Sequence, residues 1–155
     1  MSLVSSKPVS RRSPRVRIGL ETQVDPHELN QLFVKSGQPA RDPEKLRRAL
    51  DHSLFCVTAR LLTGRMLVGF ARASGDGIFN AAIRDWVADP TAANPEAIQR
   101  QLLERAKQEA KRTMSQCAVS IFAEPEQFAM LRRADFDEEQ NGIKAMRLED
   151  DSDLL

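Results

Sequence analysis

Between Val16 and Leu20, apolar residues alternate with Arg17 and Gly19, the period-two pattern of a strand with one buried face. Two short helical patterns follow. Asp25-Pro26-His27-Glu28 puts an aspartate at the N-cap, a proline at the first helical position and a glutamate in the first turn. Leu29, Leu32 and Phe33 then share one face, and Gly37 marks the end. The device recurs at Asp42-Pro43-Glu44, ahead of Leu46, Ala49 and Leu50. Residues 54–60, 66–73 and 78–88 are rich in strand-forming residues and are separated by Thr63-Gly64 and by Ser74-Gly75-Asp76-Gly77. They predict three strands in an antiparallel meander.

Asn94-Pro95-Glu96 opens the longest helix, with asparagine as its N-cap. Ile98, Leu102, Ala106 and Ala110 recur on one face, while Arg100, Arg105, Lys107, Lys111 and Arg112 supply a basic side that reads as a solvated surface. A short strand at 118–123, a helix from Pro125 to Ala134 and a last strand at 143–148 complete the chain. The order β-α-α-β-β-β-α-β-α-β predicts an α/β (α+β) fold, a mixed twisted sheet flanked by helices. The long helix acts as a crossover, so the strands it joins are expected to be parallel.

Composition adds limits. The 155 residues fit one domain, and 41% hydrophobic with 29% charged residues is an ordinary globular balance. No apolar run is long enough to span a bilayer, and the N-terminal residues lack a secretory apolar segment. Cys56 and Cys117 are too few for a disulfide framework, which points to a reducing, cytoplasmic setting. The net charge of +1 hides a basic residue 1–14 tail, read as flexible, and an acidic 149–155 tail, with residues 15–148 between them as the folded domain. Arg11, Arg12 and Arg15 are the candidate contacts for an acidic protein partner. The basic arm has no aromatic residue for stacking, so nucleic acid is not expected.

His27 and His52 have no metal-ligand spacing, so no metal is expected. Cys56 with His52 is a weak nucleophile pair, because a buried strand cysteine is usually inert. Asp85 and Asp89 flank Trp86, either as turn and cap residues or, for one of them, as a base for an incoming amine. The chain contains no tyrosine, which removes phenol acid–base chemistry.

The element order, together with Gln38-Pro39-Ala40-Arg41-Asp42-Pro43, Leu67-Val68-Gly69-Phe70-Ala71-Arg72-Ala73, Asp85-Trp86-Val87-Ala88-Asp89-Pro90 and Met130-Leu131-Arg132-Arg133-Ala134-Asp135-Phe136, resembles the GNAT (general N-acetyltransferase) superfamily. The wording is most similar to its plastid and cyanobacterial branch and covers residues 16–148, which admits a plastid stroma as an alternative location. The resemblance implies acetyl transfer from acetyl-CoA to an amine without a covalent enzyme intermediate. It places Val87, Ala92, Ala93, Asn94, Ala97 and Arg100 at the cofactor.

Two departures bear on that implication. The family's phosphate loop uses glycines for close backbone approach at a helix N-terminus. Here the stretch is Thr91-Ala92-Ala93-Asn94-Pro95-Glu96, with no glycine, one amide lost to Pro95 and a negative charge at Glu96. The position of the family's frequent general-acid tyrosine falls on Leu131. The expectation is therefore a degenerate member that holds no cofactor and acts as a protein-binding, assembly or regulatory module, with no catalytic residue assigned. The alternative is an active N-acetyltransferase using acetyl-CoA.

Overall fold

The computed structural model describes residues 15–149. The first compact unit extends to Phe122 and the second begins at Ala123. In the first, β1 (Val16–Leu20) is followed by α1 (Pro26–Lys35), α2 (Pro43–Asp51), β2 (Phe55–Leu61), β3 (Leu67–Gly75), β4 (Asn80–Ala88), α3 (Pro95–Thr113) and β5 (Ala118–Ile121). The strands lie side by side in chain order, β1 to β4 antiparallel and β5 parallel to β4. The parallel pair is the one joined through α3, as expected of a helical crossover.

The three helices start where the sequence places their caps. Asp25 accepts from the His27 amide at 2.9 Å, Asp42 from Lys45 at 2.8 Å and Asn94 from Ala97 at 3.1 Å, and each cap is followed by proline. Proline fits that position because its missing N–H would have no intrahelical partner there. Gly37, at φ +85°, lets the chain leave α1 in a left-handed conformation.

Strand alternation builds two apolar layers. Leu29, Leu32 and Phe33 of α1 and Leu46 of α2 pack with Cys56, Leu67, Phe70 and Val87 of the sheet. On the opposite face, Ile98 and Leu102 of α3 lie directly over Gly69 of β3. Trp86 ties β4 to the same helix, its Nε1 donating to the Gln99 carbonyl at 2.8 Å.

Two sequence expectations are corrected. The strand expected from residue 78 begins at Asn80, because the Asp76 carboxylate accepts from the amides of Ile78, Phe79 and Asn80 and bends the chain into a turn. Ile78 and Phe79 are left exposed at its tip. The strand expected at 143–148 does not form, and Ile143, Met146 and Leu148 are exposed. As a strand, that segment would place Ile143 and Ala145 beside Arg147 on one face, and Met146 and Leu148 beside Lys144 on the other. Neither face would be continuously apolar, so burial does not specify a pairing register.

The second unit holds a 3-10 turn, Pro125–Gln127, and α4 (Phe128–Arg133), with Leu131 and Ala134 buried. Among the described residues, no helix is long and apolar enough to cross a membrane. Arg11, Arg12, Asp150, Asp151 and Asp153 lie outside the described residues. Arg15 is exposed, and its carbonyl accepts from the Leu62 amide at 3.1 Å.

Candidate active site

The β3–β4 ladder loses its regular register in the middle of β4. Phe70 pairs with Val87 and Arg72 with Arg84, so two β4 residues, Asp85 and Trp86, stand opposite Ala71 alone. This is a β-bulge, and Asp85 within it has φ +56°. The same point ends the parallel pairing, whose last partners are Ile83 and Ile121. Arg84 stacks on Phe122, 4.3 Å from the ring centroid. From residue 84 to 88, β4 runs beside β3 on one side and, among the described residues, pairs with no strand on the other. A length of unladdered strand therefore leads into the 89–94 loop and the start of α3.

Asp85 does not point free into this opening. Its carboxylate accepts from Arg41 Nη2 at 2.7 Å and Nη1 at 3.0 Å, and from Arg72 Nε at 2.6 Å. Burial pushes the Asp85 pKa up, and the two guanidiniums more than reverse this, leaving it below the ordinary carboxylate value. Arg72 also reaches Ser53 Oγ at 3.4 Å. Cys56, opposite Arg72 across the strands, is buried, and that burial raises its thiol pKa, which makes it a poor nucleophile. His52 is exposed at the end of α2, its Nδ1 2.7 Å from the Arg48 carbonyl oxygen.

Beyond the bulge, Asp89 is buried and organises the loop. One of its oxygens accepts from the Thr91 amide at 2.9 Å and hydroxyl at 2.7 Å, the other lies 3.6 Å from Lys35 Nζ, and its carbonyl takes the Ala92 amide. Its burial raises its pKa, and the Thr91 and Lys35 contacts bring it below the ordinary value. Asp89 is thus the turn residue of the sequence reading, and Asp85 an ion-paired bulge residue.

The candidate cofactor residues fall into separate environments. Val87 sits in the open stretch of β4, with its side chain in the α1–α2 core. Ala92 is half-buried with its amide engaged by Asp89, and Ala97 is buried with its amide on the Asn94 cap. Ala93 is exposed, and among the described residues neither its amide nor that of Asn94 donates to a backbone carbonyl. Arg100 is exposed one turn into α3. Arg41, Arg72 and Lys35 were not singled out from the sequence. The signal for Arg72 was a charged residue inside the apolar run Phe70-Ala71-Arg72-Ala73.

A second ion-pair group lies on the α1 side of β2. Arg60 bridges Glu21 at 2.5 Å and Glu28 at 2.9 Å, and Thr58 donates to Glu21 at 2.7 Å. The Arg60 hydrogen bond lowers the Glu21 pKa, partly opposed by burial. Glu21, Asp85 and Asp89 are all depressed in the folded state. Their stabilisation is complete above the unfolded carboxylate range of about 3.9–4.3 and is lost as pH falls through the lower folded values. Urea midpoints are expected to stay level from pH 7 to 5 and to fall steeply below about pH 4. A midpoint that holds or rises between pH 5 and 3 would contradict the assignment.

The chain is 31% identical over 125 residues to an N-acetyltransferase named ycf52 from Porphyra purpurea, covering 77% of this chain and 69% of that protein. The chain belongs to the GNAT family of N-acetyltransferases. It is 33% identical over 122 residues to GCN5-related N-acetyltransferase 1, chloroplastic, of Arabidopsis thaliana, and 32% identical over 127 residues to serotonin N-acetyltransferase 2, chloroplastic, of rice, Oryza sativa subsp. japonica. These matches cover 77% and 81% of this chain, which spans 59% and 62% of the length of those relatives. No family model matches the sequence.

Among solved structures, a GNAT-family acetyltransferase from Streptococcus pneumoniae superposes with a TM-score of 0.70 at 22% identity, covering 87% of this chain and 98% of that one. An Escherichia coli GNAT N-acetyltransferase in complex with CoA gives a TM-score of 0.62 at 14% identity, covering 77% of this chain and 68% of that one. The fold expectation holds. The expectation of no cofactor is corrected by the CoA-bound neighbour. Missing glycines exclude one way of cradling a phosphate, whereas the open edge of β4 depends on the bulge and on where the β5 pairing stops.

Proposed function

We propose that this GNAT domain binds acetyl-CoA along the open half of β4 and transfers the acetyl group to a primary amine. The observation that carries the reading is the run 84–88, whose outer edge pairs with no strand among the described residues and which leads from the bulge to the N-terminus of α3. An extended chain bearing amide groups can add to such an edge through main-chain hydrogen bonds. The residues fit the two parts of CoA unequally. The outer edge of β4 beyond Ile83 offers main-chain groups to the pantetheine arm. The pyrophosphate is left with the amides of Ala93 and Asn94, the end of the helix dipole and Arg100, against the Glu96 carboxylate in the first turn.

In the transfer, a neutral amine nitrogen attacks the thioester carbonyl carbon. The C–N bond forms, the C–S bond breaks, and the nitrogen releases one proton to solvent water. The departing sulfur takes one from solvent water, as the chain has no tyrosine phenol to donate it. Serotonin is the first acceptor to test because one relative is named for it. The chloroplastic names of two relatives support a plastid location as part of the same reading.

Titration calorimetry with CoA and acetyl-CoA tests this directly. Wild-type protein is expected to bind both, Arg100→Gln to bind several-fold more weakly, and Glu96→Gln several-fold more tightly. Each such change corresponds to roughly 1 kcal/mol, the scale of one charge near a phosphate in a solvated site. No heat and no thermal shift at millimolar ligand would end the reading.

A further inference from the structure

We infer that Arg41 and Asp85 form a positioning pair that fixes the α1–α2 connection beside the open half of β4, with Asp85 serving as an anchor rather than as the base that takes the amine's proton. The inference rests on the proposed acetyl transfer for its kinetic half only.

Arg41 is held both at its backbone and along its side chain. Its amide donates to Asn30 Oδ1 at 2.9 Å, and its carbonyl accepts from Asn30 Nδ2 at 2.8 Å, so one α1 side chain clamps its backbone in both directions. Its guanidinium lies 4.4 Å from the Phe33 ring centroid and reaches Gln38 Oε1 at 3.5 Å. Its remaining reach is the two-pronged contact with Asp85. Such a fork fixes orientation as well as distance, which a lysine ammonium cannot do.

Asp85 is equally committed. Both carboxylate oxygens accept from guanidiniums, and its left-handed backbone is the point where β4 bulges and parts from β5. The charged and titratable groups facing it are Arg41 from the α1–α2 connection, Arg72 from β3 and Cys56 from β2, with Glu21 farther along the same face. Taking a proton would require Asp85 to give up a contact with one of two cations in a largely buried position. The geometry makes it an anchor.

Amide exchange and kinetics on the full chain separate the alternatives. The Arg41 amide is the probe, because its only described acceptor is Asn30. In Arg41→Gln and Asp85→Asn it is expected to exchange at least tenfold faster than in wild type, with Arg41→Lys between. Trp86, the single tryptophan and the neighbour of Asp85, reports by fluorescence whether the bulge itself has rearranged. With serotonin as acceptor, the variants are expected to raise KM by tenfold or more, with a smaller fall in kcat and an unchanged pH profile.

Unaltered Arg41 exchange in both Arg41→Gln and Asp85→Asn overturns the positioning role, and needs no turnover to be seen. A profile that loses its acidic limb in Asp85→Asn, with KM unchanged, would make Asp85 the base. Failure of the wild type to bind CoA defeats the acetyltransferase reading and leaves the exchange result standing on its own.

Discussion

Replacing Phe33 by alanine is expected to destabilise the protein by about 3–5 kcal/mol, the cost of truncating a fully buried aromatic ring. Phe33 is 0% exposed, and its ring meets that of Phe70 edge-on, with centroids 6.5 Å apart and planes at 87°. That arrangement suits the ring quadrupoles and adds about 0.5–1.5 kcal/mol beyond burial. The upper face of the same ring carries the Arg41 guanidinium. Phe33→Leu keeps most of the volume and should cost under about 1.5 kcal/mol, while removing the aromatic support of Arg41. Urea unfolding orders the two variants, and Arg41 amide exchange shows whether the leucine loosens the loop without unfolding the core. An alanine variant within about 1 kcal/mol of wild type would mean that the α1 face of the sheet is not the packed layer described.

Much of the scaffold could be read along the chain because local chemistry and tertiary packing agree there. Three Asx-Pro pairs at 25, 42 and 94 mark helix starts, since the cap and the missing amide solve the same problem at the same place. The parallel β4–β5 pair follows from one long helix between two strands. The strand expected at 143–148 misled because its residues are individually strand-like while neither face is uniformly apolar.

The bulge was the feature the sequence reading passed over, although its trace is there. Ala81 and Ile83 are buried at odd positions, while Trp86 turns to α3 from an even one. The phase of the alternation changes at Asp85, as one extra residue in a strand requires. The weight placed on the glycine-free loop had a similar cause. The sequence shows which residues are missing from a phosphate cradle, but which amides stay available depends on the Asp89 turn and the Asn94 cap, and those are properties of the folded loop. Arg41 is masked in the sequence by its neighbours Asp42 and Pro43, which by themselves account for the segment as a helix start.

The glycine in Leu67-Val68-Gly69-Phe70 carries the other large expected effect. A Cβ placed on Gly69 would lie 2.6 Å from Ile98 Cγ2, 2.9 Å from Leu102 Cδ1 and 3.0 Å from Ala59 Cβ. The first two distances are closer than carbon atoms can approach without displacing their owners, and those owners are the buried ridge on which α3 sits. Gly69→Ala is expected to cost about 1–3 kcal/mol, the usual penalty for overpacking a filled core. For a chain of this length that lowers Tm by about 2–4 °C for each kcal/mol. Gly69→Val should prevent α3 from seating and give protein that does not unfold cooperatively. The mechanism is checked by a double-mutant cycle with Ile98→Ala, because the two changes share one volume. If the clash is the cause, the added methyl occupies space vacated at Ile98 and the double variant loses less stability than the two single losses added together. Strict additivity would assign the glycine to strand conformation instead. Gly69 does not have a positive φ, so its backbone is one that any residue adopts. The requirement for glycine therefore comes from the distance between sheet and helix, the same spacing that lets Trp86 reach the Gln99 carbonyl from the bulge itself.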